Sequence, residues 1–267
     1  LPIAVVEHPR ELTIGTSDFV ILAMKSQDTA RALEALSLAA PADVPVGCAQ
    51  NGVENERSAL RHFANVHGIC VRMPSVHLEP GVVRVHEVEN NGIADIGRYP
   101  RGVDDLDRTV AADLEASSIL SFALDDVMAV KYAKLALNVT NALDAAIGRS
   151  SDPADTDLSK RARKEALDVF AAAGIPVSKD RDTRTTSRER VPIEGTAHAG
   201  GSSFQSLARG TERLEADYLN GEVVLLGRLH GIPTPANALL QDLAIRLVKK
   251  HVPAGSLTIA DIEAGRP

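Results

Sequence analysis

Residues Phe19 to Met24 form a nearly continuous apolar run, Phe-Val-Ile-Leu-Ala-Met. A run of that length suits a strand buried on both faces, as in a parallel sheet. The polar stretch Lys25-Ser26-Gln27-Asp28-Thr29 follows, with Ser26 placed to cap a helix that begins at Ala30. The pattern then repeats. Val44 to Ala49 is a second short run ending at Gln50-Asn51-Gly52, Glu54 to Phe63 can form a helix, and Ile69 to Met73 reads as a third strand. Such alternation is the mark of an α/β sheet, and right-handed crossovers make it parallel.

Between Val76 and Gly97 the pattern changes. Val82 to His86 and Ile93 to Gly97 flank Glu89-Asn90-Asn91-Gly92, and Asn-Gly is a strong hairpin signal, so an antiparallel appendage to the sheet is predicted. Beyond Pro100 the spacing becomes helical, over Asp104–Ser118, Asp126–Ile147, Leu158–Ala173, Ser206–Leu229 and Pro235–Lys250. Gly148, Gly174 and Gly231 stand where helices should stop. The expected organisation is an α/β domain over 1–125 followed by an all-helical domain over 126–267. Lys179 to Ala199 is polar and aperiodic, and reads as a solvated surface loop.

Composition narrows the function classes. The chain has 267 residues, 44% hydrophobic and 24% charged, as ordinary globular proteins do. No apolar run approaches the roughly 20 residues that cross a bilayer, and no signal-peptide pattern is present. The net charge of -7 argues against nucleic acid, and no basic stripe offsets it. Cys48 and Cys70 form no CxxC pair and read as buried, reduced thiols of a cytoplasmic protein. The opening Leu1-Pro-Ile-Ala-Val-Val reads like the middle of a protein, which suggests that an N-terminal segment lies outside this chain.

Three polar clusters could carry chemistry. The first comprises Lys25 and Asn51, each directly after a predicted strand, where open α/β sheets bind ligands. The second lies in Val130 to Leu143, an apolar helix in which Lys134, Asn138 and Asn141 are spaced i, i+4, i+7 on one face. Asparagine disfavours helix interiors, so two in line with a lysine point to a site. A partly desolvated lysine is suited to donate a proton, and asparagine amides can hold a hydroxyl or carboxylate. The third is Gly200-Gly-Ser-Ser203 ahead of a helix, which could face an anion or simply supply Ser203 as an N-cap. Glu215 follows within that helix, as a carboxylate near a lysine or as a surface charge.

Taken together, these stretches resemble the ketopantoate reductase (2-dehydropantoate 2-reductase) family. The matching segments are Ile21–Asp28, Gln50–Asn55, Lys134–Leu143, Ser202–Gln205, and Glu215–Gly221 with His230–Pro235, in the family's order over nearly the whole chain. The resemblance implies a Rossmann-type domain joined to a helical one, with the active site in the cleft between them. It implies NADPH-dependent reduction of 2-dehydropantoate to pantoate. Lys134 would then be the general acid, Glu215 would orient it or a substrate hydroxyl, and Asn138, Asn141 and Ser203 would hold substrate oxygens. Lys25 and Asn51 would line the NADPH side.

Two features depart from the family. Its Gly-x-Gly-x-x-Gly turn is absent from this chain, as it would be if the first βαβ unit lay outside it. That segment would also hold the residue choosing NADPH over NADH. The spacing after Asn138 is one residue short, which weakens Asn141 and the substrate assignment. A reductase of another 2-oxoacid, or a non-catalytic small-molecule binding protein, are the competing readings. No metal site is expected, since the histidines, His62 and His67 included, lack HExxH or comparable spacing. The expected partner is a small-molecule 2-oxoacid, with no nucleic acid and no membrane, and a homodimer is left open.

Overall fold

The computed structural model describes residues 3–85, 90–148, 156–179 and 200–266. The three apolar runs do form strands: β1 is Val20–Leu22, β2 Val46–Cys48 and β3 Val66–Arg72. They pair in parallel, with Ile21 opposite Gly47 and Gly47 opposite His67. After each of the first two strands comes a helix, α1 (Thr29–Ser37) and α2 (Asn55–Ala59). The core beside them gathers Leu22, Leu33, Leu36, Val46, Phe63 and Val66. Full burial of each such side chain is worth about 1.5–3 kcal/mol.

Strands β4 (Ser75–Glu79) and β5 (Val82–Val85) make a separate antiparallel pair, and β6 (Ile93–Arg98) returns to the main sheet, whose order is β1-β2-β3-β6. This corrects the predicted hairpin. Val82–Val85 pairs with Ser75–Glu79, and Ile93–Arg98 pairs antiparallel with β3, Arg72 opposite Ile93. The reversal falls at Pro80-Gly81, where Gly81 takes φ +78°, a conformation that glycine adopts without a Cβ penalty. His86 and Glu89 lie outside the described residues. The sheet is therefore mixed, three parallel strands plus an antiparallel one.

Two further expectations about the strands change. Ile21 is 49% exposed, so β1 is not buried on both faces; it stands at one end of the strand order, and Leu22 is buried in the core with Val20 packed against it. Ser26 is not a cap: Ser26–Asp28 forms a 3-10 turn leading into α1, and Ser26 is buried. At the other end, residues 120–124 run beside β6, so that Leu124 N–H donates to Ile96 O at 2.8 Å. The approach is tight, since a Cβ on Gly97 would lie 2.1 Å from Leu124 O.

The helices that follow are α3 (Asp105–Ala116), α4 (Val127–Asn138), α5 (Asn141–Ile147), α6 (Asp157–Ala172), α7 (Ser202–Ala208), α8 (Asn220–His230), α9 (Pro235–Lys249) and α10 (Ile259–Glu263). Gly148, Gly174 and Gly231 do stop helices, each with positive φ. Two predicted helices are broken. The run 126–147 divides at Val139-Thr140, and 206–229 divides into α7, a 3-10 turn at Glu215–Tyr218 and α8. The second break follows Gly210, whose φ of +74° no helix can continue.

The chain forms two compact units. One comprises residues 1–72 and 92–131, the other 73–91 and 132–267, so that α4 starts in the first and ends in the second. The hairpin β4–β5 belongs to the second unit, where Gln205 Nε2 donates to Ser75 O at 3.1 Å and His77 N–H donates to Gln205 Oε1 at 3.0 Å. That unit is thus helical with one small sheet. No helix among the described residues is long and apolar enough to cross a membrane.

Candidate functional site

In the first unit, polar side chains converge on the loops that leave β1 and β2. Ser26 Oγ donates to Asn51 O at 3.1 Å, and Asn55 Nδ2 donates to the same oxygen at 3.0 Å. Asn55 also donates to Ser26 Oγ at 3.1 Å and accepts from Thr29 Oγ1 at 2.8 Å, while Gln50 Nε2 donates to Thr29 Oγ1 at 2.8 Å. These bonds tie the Lys25-Ser26 loop to the Gln50-Asn51-Gly52 turn, so the two predicted residues of this cluster, Lys25 and Asn51, sit on joined loops. Both are half-buried. Carboxyl ends of parallel strands are where α/β sheets seat ligands.

Beneath the turn lies a pair that the pattern did not reveal. Lys131 on α4 is 3% exposed and Glu56 on α2 is fully buried, and Lys131 Nζ donates to Glu56 Oε1. The same ammonium donates to Cys48 O and to Gln50 O, each at 3.2 Å. Burial pushes the Glu56 carboxyl up from its ordinary range, against the pull of Lys131. Burial, with Glu56 beside it, likewise raises the Cys48 thiol, so that this cysteine stays protonated. No disulfide joins Cys48 and Cys70, and both are buried. One signal for Lys131 was present: its helical neighbours Val127, Met128 and Leu135 are apolar and buried, which puts position 131 on an inward face.

His67 comes together with Asp104 and Asp107, their ligand-type atoms within 4.8 Å of one another. Every carboxylate oxygen there is engaged. Asp107 Oδ1 lies 2.7 Å from His67 Nδ1, Asp107 Oδ2 accepts from Asp104 N–H, Asp104 Oδ1 accepts from Asp107 N–H, and Asp104 Oδ2 accepts from Arg98. The group caps α3 and ties it to the sheet.

In the second unit, Lys134 lies on α4 and is half-buried; Asn138 ends α4 and Asn141 opens α5, both half-buried. The expected stripe on one continuous helix is therefore interrupted. The break is held from elsewhere: Asn220 Nδ2 donates to Val139 O at 2.8 Å and to Asn237 Oδ1 at 3.1 Å, and Thr140 Oγ1 donates to Leu137 O at 3.1 Å. Asn237 in turn donates to Ala162 O, and its backbone and side chain meet the Glu165 carboxylate, all at 2.9 Å. Asn220 is only five positions beyond Glu215, so the turn bearing Glu215 leads directly to the residue that pins the break.

Glu215 is buried in its 3-10 turn, which excludes the surface-charge reading. Ser203 is buried inside α7, whose N-cap is Gly201, so it is not an N-cap. At the Gly200–Ser203 turn, Gly201 N–H donates to Asp144 Oδ2 at 2.5 Å. That bond joins α7, which bears Ser203, to α5, which bears Asn141. The polar segment 180–199 lies outside the described residues.

Residues 2–101 match the family model Ketopantoate reductase PanE/ApbA, and residues 126–250 match Ketopantoate reductase PanE/ApbA C terminal. The chain belongs to the ketopantoate reductase family. As a member, it is an oxidoreductase. A 2-dehydropantoate 2-reductase of Halobacterium salinarum is 29% identical over 251 residues, spanning 89% of this chain and 78% of that protein. Among solved structures, a ketopantoate reductase from Ralstonia eutropha JMP134 superposes with a TM-score of 0.70 at 29% identity, covering 88% of this chain and 76% of its own. A D-mandelate dehydrogenase bound to NADH and anilino(oxo)acetate gives 0.73 at 20% identity over 91% and 80% of the two chains, which is a likeness of fold.

Proposed function

We propose that this ketopantoate reductase family member reduces 2-dehydropantoate to pantoate with NADPH, with Lys134 as general acid. Residues 1–125 would serve the dinucleotide and 126–267 the substrate. The observation that supports the reading is that a chain of this family carries a half-buried lysine, Lys134, on an apolar helix and a buried carboxylate, Glu215, in the same unit. Lys25 and Asn51 would flank a reduced nicotinamide cofactor, which would supply hydride to the 2-oxo carbon. Lys134 then gives its proton to the carbonyl oxygen, and its charge stabilises the alkoxide as it develops. Asn138, Asn141 and Ser203 hold substrate oxygens through amide and hydroxyl hydrogen bonds. Glu215, buried in its turn, orients Lys134 or a substrate hydroxyl.

The break at Val139-Thr140 favours a second reading for the substrate. Asn141 sits at the start of a new helix, one residue closer to Asn138 than the family spacing has it, so its reach toward the oxoacid tail differs. A different 2-oxoacid would then fit the same chemistry, as the D-mandelate dehydrogenase fold accommodates anilino(oxo)acetate. The test of the acid role is Lys134→Ala in the full-length protein. Turnover should fall at least 100-fold with cofactor affinity within about threefold of the parent. Near-parental turnover would reject the assignment.

A further inference from the structure

The Lys131–Glu56 pair has no place in the chemistry just described, although it lies against the turn bearing Asn51. A buried ion pair is poor at stabilising a fold, because desolvation of both charges offsets most of their attraction. Glu56 illustrates the cost, since its Oε2 is buried and has no hydrogen-bond partner among the described residues. What Lys131 gains besides Glu56 is two backbone carbonyls, Cys48 O at the last residue of β2 and Gln50 O two residues on. Asn51 O, the next carbonyl, is held by Ser26 and Asn55. Three carbonyls of a four-residue stretch are thus fixed by side chains from α4, α2 and the loop after β1. The turn then reverses at Gly52, φ +80°.

We propose that Lys131 is a positioning residue, aimed by Glu56, that sets the conformation of the Gln50–Asn51–Gly52 turn and so the affinity of the site for its dinucleotide. This rests on the reading that the turn flanks the cofactor. Lys131 reaches both carbonyls only from a fully buried position, and an uncharged side chain of the same length supplies no donor to either. Glu56 Oε1 accepts from the same ammonium and so fixes the direction in which it points.

The variants for the test are Lys131→Met and the double variant Lys131→Met/Glu56→Leu, made in the full-length protein. The single variant strands Glu56 and loses stability whatever the role of the pair. The double variant removes both charges and replaces them with apolar groups of similar volume, so its melting temperature should return close to the parent's. NADPH and NADH affinities are measured by nucleotide fluorescence, and amide hydrogen exchange is followed over residues 49–53. The expected result for the folded double variant is nucleotide binding weakened at least 10-fold, KM for the oxoacid changed less than about threefold, and faster exchange in the turn. Parental affinity and parental exchange in the double variant would overturn the proposal. Should the parent bind neither nucleotide, the cofactor reading fails by itself, and exchange in the turn still decides whether Lys131 holds it.

Discussion

Asn220 offers the sharpest test of how the second unit is held together. It is 1% exposed, and its amide donates to Val139 O at 2.8 Å and to Asn237 Oδ1 at 3.1 Å. Val139 and Asn237 are themselves fully buried. Asn220→Ala removes both donors and leaves two acceptors with no replacement from the protein. Each stranded acceptor costs about 1–3 kcal/mol, so the sum is roughly 2–6 kcal/mol, with the lower part reached if water enters the space left by the amide. For a chain of this size, the melting temperature falls by about 2–4 °C per kcal/mol, giving a drop of roughly 4–24 °C. Urea denaturation, followed by far-UV circular dichroism, should show the midpoint lowered with the slope unchanged. Gln241, which donates to Asp217 at 2.8 Å on the surface, is the control, and Gln241→Ala should cost no more than about 0.5 kcal/mol. Because Asn220 pins the break between Asn138 and Asn141, turnover at a temperature where the variant is fully folded should also fall. An Asn220→Ala protein within about 0.5 kcal/mol of the parent would refute the idea that this amide holds the helix break.

Two other perturbations probe the first unit. Gly97→Ala should destabilise by about 3 kcal/mol or more, because its Cβ would meet Leu124 O at 2.1 Å and backbone must move, whereas Gly81→Ala meets open space and should cost only about 1 kcal/mol for its positive φ. Equal losses in thermal melts of the two variants would contradict this. Asp104 is partly buried, yet the Asp107 N–H and the Arg98 guanidinium hold its carboxyl below the ordinary value of 3.8. Below that value the unfolded chain binds more protons than the folded one, so this contribution is present above pH 3.8 and lost as pH falls through the folded pKa. The stability gap between parent and Asp104→Asn should therefore be widest near neutrality and narrow in acid; a gap independent of pH would show that the charge has no part in the cap.

Much of the first unit was legible because buried parallel strands write short apolar runs, and because the residues ending them, Lys25 and Asn51, stand where the loops turn out to be joined. Helix ends at Gly148, Gly174 and Gly231 were legible for the same local reason. What escaped the sequence is tertiary. Val139 and Thr140 are not helix breakers; the break is held by an amide 81 residues away. Asn91-Gly92 is a good turn signal, but Pro80-Gly81 closes the hairpin instead, and β6 finds a better partner in β3. The Lys131–Glu56 pair joins residues 75 apart, which no local period can show. Of the candidate site, Glu215 and Ser203 proved buried, a fact that the polar sequence around them conceals.

The measurement that bears most directly on the central claim is oxidation of NADPH by the full-length protein, with 2-dehydropantoate assayed beside other 2-oxoacids and with NADH as the alternative donor. The account predicts fast turnover with NADPH that favours 2-dehydropantoate over the rest of the panel, and its loss in Lys134→Ala. Nucleotide binding without turnover of 2-dehydropantoate would contradict the substrate assignment, and no oxidation with any 2-oxoacid would contradict the reductase chemistry itself.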